Sequence, residues 1–118
     1  MKKKILFAAY QSPVGSIWVN EAFRSAFGMV AEELEPSVLL LHEGVVGLSV
    51  DTKPELLGLF PLKIVQRYIS RYGIGVYAVK EDIERFRVKE IDPGYQAQLV
   101  PESGMSDFLH QFDQVIFM

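Results

Sequence analysis

Apolar residues in this chain come in short continuous runs separated by amphipathic stretches. The first run, Ile5-Leu6-Phe7-Ala8-Ala9-Tyr10, does not alternate with polar positions. Continuous runs of this kind suit strands buried on both faces of a parallel sheet. Gln11-Ser12-Pro13-Val14-Gly15-Ser16 then turns the chain, and Val19, Ala22, Phe23, Ala26, Phe27 and Val30 fall on one helical face. This spacing predicts a helix from about Ser16, a suitable N-cap, to Glu33. Strands are predicted over 4–9, 37–41, 75–79, 97–100 and 114–118. Leu34-Glu35-Pro36 returns the chain to the second of them. A further helix starts near Pro61, with Ile64, Val65, Tyr68, Ile69 and Tyr72 as its apolar stripe and Gly73 as its stop. A short acidic helix is expected over 81–86. A last one over 106–112 buries Phe108, Leu109 and Phe112. The stretch 44–59 reads as irregular or weakly helical. Strands alternating with helices define an α/β fold with a mainly parallel sheet and helices on both faces.

Composition narrows the picture. At 118 residues the chain is expected to form one domain over 1–118, large enough for a core without staples. A 49% hydrophobic content and a mean hydropathy of +0.15 point to surface buried against other subunits, although doubly buried strands raise the same figures. The formal charge of −3 and a pI near 5.3 disfavour direct nucleic-acid binding. Lys2-Lys3-Lys4 is the one basic cluster. The cysteine count is 0, which excludes disulfides, thiolate metal sites and any persulfide carried on this chain. No run approaches the roughly 18 apolar residues of a membrane helix. Met1-Lys2-Lys3-Lys4 imitates the start of a signal peptide. The apolar run ends at Tyr10, however, and Gln11-Ser12-Pro13 offers no small-residue cleavage pattern, so a cytoplasmic protein without a membrane partner is expected.

Candidate chemistry is sparse. A strand feeding a loop and a helix places the 12–16 loop at the carboxyl edge of the sheet, where open α/β folds bind ligands. That loop has one glycine and no lysine, so it is neither a dinucleotide fingerprint nor a P-loop. Gly73-Ile74-Gly75 precedes a strand instead of following one, and Gly44-Val45-Val46-Gly47 lacks a third glycine. A phosphoacceptor of the receiver type needs paired carboxylates after the first strand, where this chain has Gln11 and Ser12. His42-Glu43 closes the second strand at the same edge and offers either acid–base chemistry or an interface contact. Lys80 follows the third strand and either attracts an anion or is simply solvated. Ser12, Gly15, Ser16, His42, Glu43 and Lys80 therefore form the candidate ligand pocket or interface. No spacing supports a metal or another cofactor. Trp18, Phe60 and Tyr95 are each candidates for the core, or, for one or two of them, for anchoring a subunit interface, where aromatics are enriched.

The pattern resembles the DsrE/DsrF family of small sulfur-relay proteins, specifically its DsrF/TusC branch. Ser12-Pro13-Val14-Gly15-Ser16 is similar to that branch's loop before the first helix. Val38-Leu39-Leu40-Leu41-His42-Glu43-Gly44-Val45 resembles its strand running into an acidic residue and glycine. The 62–72 helix entering Gly73-Ile74, and the ending Phe112-Asp113-Gln114-Val115-Ile116-Phe117, complete the likeness across nearly the whole length. The resemblance implies a three-layer α/β/α sandwich with a five-stranded sheet, assembled with sister subunits of the same fold. In that family the DsrE/TusD-type subunit carries sulfur on a cysteine just after its third strand. Here that position reads Val79-Lys80-Glu81, so no catalytic residue is carried over.

The resemblance thus implies a non-catalytic subunit of a DsrEFH/TusBCD-type complex serving tRNA thiolation or sulfur oxidation. Its partners would be DsrE/TusD-like and DsrH/TusB-like chains. A stand-alone homo-oligomer that binds a small ligand is the alternative. An enzyme using His42 and Glu43 as acid and base is the third.

Overall fold

The computed structural model describes residues 3–13, 16–30, 34–50 and 62–118. Along the chain run β1 (Lys3–Ala9), α1 (Trp18–Met29), β2 (Leu34–Leu40), a 3-10 segment (His42–Leu48) and α2 (Leu62–Tyr72). Then come β3 (Gly75–Val79), α3 (Lys80–Arg85), β4 (Gln98–Val100), α4 (Met105–Leu109) and β5 (Gln114–Phe117). The strands form one five-stranded sheet in the order β4-β3-β2-β1-β5, and every pairing is parallel. The expected α/β/α sandwich is therefore the observed architecture. No helix among the described residues is long and apolar enough to cross a membrane.

The continuous apolar runs account for this layering. Each parallel strand sends alternate side chains to opposite faces. Ile5, Phe7 and Ala9 of β1, Val38 and Leu40 of β2, and Val76 and Ala78 of β3 join one core cluster. Its other members include Val19, Ala22, Phe23 and Ala26 from α1 and Val65 and Ile69 from α2. The intervening residues Leu6, Ala8, Leu39 and Val79 face the other way and pack with Phe108 of α4. A run read as polar/apolar alternation would have left one of these faces to water.

The two faces are covered unequally. One carries two helices of 12 and 11 residues, reinforced by rings: Phe23 meets Tyr95 at 5.7 Å and Phe27 meets Tyr68 at 5.3 Å between centroids. On the other, among the described residues, the regular helix is α4, five residues long. Such a helix is only about 7.5 Å long, whereas five strands about 4.8 Å apart span roughly 19 Å. Tyr77, Phe108 and Phe112 fill part of this thinner layer, with centroid separations of 4.8 and 5.2 Å.

Local expectations and structure differ at instructive places. Ser16 does not cap α1. Ile17 holds that position without a side-chain cap, and the Ser16 hydroxyl instead donates to the Ser12 carbonyl at 2.6 Å. The helix ends at Met29, and residues 31–33 lie outside the described residues. β2 begins at Leu34 and runs through Pro36. Proline is tolerated because β3 pairs only from Ser37 onward, so at Pro36 the strand has β1 alone as its neighbour. Tyr95 is core, 2% exposed, since its ring packs on Phe23 rather than on the surface. Phe60, Pro61 and most of 44–59 (from 51 on) lie outside the described residues, as does the Ile64 side chain. Gly73 does stop α2: it adopts φ +65°, and its N–H donates to the Ile69 carbonyl at 2.9 Å.

Gly44 is where the 3-10 segment meets β1. Leu41 N–H donates to the Ala9 carbonyl at 3.1 Å, and a Cβ on Gly44 would overlap that same carbonyl oxygen. Gly28, in α1, has nothing within 4 Å of its Cβ position. Gly44→Ala should therefore destabilise the fold by about 1–3 kcal/mol through a backbone clash. Gly28→Ala should stabilise it by up to about 1 kcal/mol. Urea titrations of the two variants check both signs.

Candidate functional site

The sheet order places the carboxyl ends of β1, β2, β3 and β5 along one edge. The chain steps outward from β1 to β4 and then returns to lay β5 on the free side of β1. Crevices of open α/β sheets form at this edge. Here a cavity of about 250 Å³ opens on the thinly covered face. Leu39 and Leu41 at the end of β2, Val79 of β3 and Phe117 of β5 line it, with Met105 and Leu109 of α4. His42, Asp82 and Glu102 supply its ionisable groups. Ala8 is paired in register with Leu39 on one side and Phe117 on the other.

Asp82 organises the polar side. It is 2% exposed and accepts a hydrogen bond from the His42 backbone N–H at 2.6 Å. His42 has φ +49°, a left-handed conformation that is costly for a side chain with a Cβ. The Asp82 carboxylate anchors that strained turn. Its other oxygen is held by the Arg85 guanidinium. Arg85 also reaches Glu102 at 3.0 Å, and Glu81 accepts from the Glu102 N–H at 3.0 Å. Three acidic side chains and one arginine thus tie β2's exit, α3 and the β4–α4 connection together. The hydrogen bond and charge of Glu102, with the charge of Asp82 behind them, raise the Arg85 pKa above its ordinary value. The guanidinium stays charged throughout the physiological range, and its contribution fades only when pH rises beyond the arginine range.

The sequence-predicted residues separate. His42 is in the cavity lining. Ser12 and Ser16 bond to one another within the loop after β1. Glu43 and Lys80 are exposed, the first on the 3-10 segment and the second opening α3, and neither is among the lining residues of this cavity. Gly15 lies outside the described residues. Trp18 stays on the surface, 39% exposed. Asp82, Glu102 and Phe117 were not singled out from sequence. Their signal is faint: an acidic pair directly after the third strand, and a phenylalanine in a terminal strand. No group of three or more metal-binding side chains occurs among the described residues.

These features define a parallel α/β/α protein with a small, mainly apolar cavity at the sheet's carboxyl edge. No protein-family model matches the chain, and no curated protein sequence matches it at a significant level. Solved structures do. The ychN protein from E. coli superimposes with a TM-score of 0.79 at 15% identity, covering 100% of both chains. A conserved protein of unknown function from Bacteroides thetaiotaomicron gives a TM-score of 0.61 at 15% identity, covering 98% of this chain and 95% of the other. At this identity the likeness is one of fold alone: the parallel α/β/α arrangement is shared over the full length.

The Asp82 geometry makes a stability prediction. Asp82→Ala leaves the His42 N–H without its acceptor and should cost about 2–3 kcal/mol. Asp82→Asn should cost less, because an amide oxygen still accepts one bond. Denaturant midpoints of the two variants against the parent decide it, and equal losses would remove the anchoring role.

Proposed function

We propose that this chain is a non-catalytic subunit of a sulfur-relay assembly of the DsrEFH/TusBCD type, contributing shape and contact surface. The observation that carries the reading is chemical. Sulfur relay in the family the sequence resembles runs through a cysteine after the third strand, and here Val79 ends β3 and Lys80 opens α3 in a chain with cysteine count 0. The parallel α/β/α fold, which the resemblance implies, supports the reading. So do Tyr10, Ile17, Trp18 and Phe117, 43%, 48%, 39% and 56% exposed at the carboxyl edge, since aromatic and large apolar residues anchor interfaces. The partners are DsrE/TusD-like and DsrH/TusB-like chains, and the pathway is tRNA thiolation or sulfur oxidation. The setting is cytoplasmic.

A second reading is favoured by one observation, the cavity. In it the chain is a stand-alone homo-oligomer of DsrE-like type that binds a small molecule at the carboxyl edge. A concave, mostly apolar volume with a few convergent polar groups is the usual form of a ligand site. Acid–base catalysis by His42 and Glu43 has less support, because Glu43 is exposed and only His42 of the two lines the cavity.

Co-expression with DsrE/TusD-like and DsrH/TusB-like chains of the same genome, followed by size exclusion with light scattering, distinguishes the readings. A heteromer containing this chain is the expected outcome. A monomer or homo-oligomer indifferent to both chains overturns the first reading.

A further inference from the structure

We infer that the carboxyl-edge cavity is a binding site for a small primary amine carrying a single ring or an aliphatic group of similar size. The inference deepens the second reading above and rests on it. Three observations carry it. The first is volume. A cavity of about 150 Å³ accommodates benzene, so about 250 Å³ has room for a ring with a short chain.

The second is the character of the walls. Its floor is buried, with Leu39 0% and Val79 3% exposed. α3, α4 and the end of β5 rise around it. The apolar walls reward burial of a hydrocarbon group.

The third is charge. Two carboxylates line the cavity, Asp82 and Glu102, and no lysine or arginine does. Arg85 bridges both from outside the lining and cancels one of the two charges. Both Asp82 oxygens are committed, one to the His42 N–H and one to Arg85. Glu102 gives only Oε1 to Arg85. A net negative charge therefore stands at the mouth on a half-exposed carboxylate with one oxygen left to accept. An ammonium complements it, a carboxylate is repelled by it, and a hydroxyl is indifferent to its charge.

The test uses three compounds that share a ring and differ in the head group: phenethylamine, 2-phenylethanol and 3-phenylpropionate. Binding to the full chain is followed by isothermal calorimetry and by two-dimensional NMR. The amine is expected to bind at least about 5-fold tighter than the alcohol, with the acid weakest. Resonances of Leu39, Val79 and Leu109 should move. Glu102→Gln, which removes the charge but keeps an amide oxygen for Arg85, should remove most of the amine's advantage and leave the alcohol unaffected, with the variant's NMR spectrum confirming an unchanged fold. Met105→Phe, which crowds the recess, should weaken all three. Equal binding of the three heads, or preference for the acid, overturns the amine class while the ligand cavity stands. Binding of none of them, with cavity resonances shifting only on dilution, means that a second copy fills the recess, and it overturns both.

Discussion

A parallel sheet has to be buried on both faces, and among the described residues long helices cover only one. β1 and β2 are apolar without alternation, so leaving either face wet would expose leucine and phenylalanine side chains. α1 and α2 close one face with helices of 12 and 11 residues. The other face relies on α4 and neighbouring loops. Tyr77, Phe108 and Phe112 fill part of it, and a cavity remains beside Leu39 and Val79. The site lies where the described cover runs out and where strand ends, loops and α3 supply polar groups.

The polar groups at that edge serve architecture before chemistry. Asp82 is buried because it satisfies a backbone donor in a strained turn, and Arg85 accompanies it because a buried carboxylate needs a counter-charge. Glu102 is drawn in by the free end of the same arginine. One side-chain cluster thus determines how the exit of β2, the start of α3 and the approach to α4 sit relative to one another. These are also the walls of the recess, so its shape and its electrostatics share one set of residues.

This economy bears on function. The edge after β3 carries an arginine–carboxylate network, where a sulfur carrier of the family the sequence resembles would carry a thiol. An ion-pair network of this kind holds loops; it forms no covalent intermediate. Exposed aromatic and large aliphatic residues on the same edge, Trp18 and Phe117 among them, fit a chain whose contribution is made through contacts.

Much of this was legible in the residues. Doubly buried strands announce themselves as unbroken apolar runs, helical faces as three-and-four spacing, and Gly73 as a stop, because each is a local property of a few neighbouring side chains. The missing thiol was likewise decided by composition. What the linear order concealed was long-range. Pro36 sits inside a strand because the adjacent strand starts one residue later. Ser16 turns its hydroxyl back to Ser12 instead of capping. Asp82 meets the backbone of His42, 40 residues away, and Glu102 joins through Arg85. Periodicity specifies which face of an element is apolar. It cannot specify how short the opposing layer will prove, and that shortfall, set by packing between segments distant in sequence, made the cavity and selected the residues that line it.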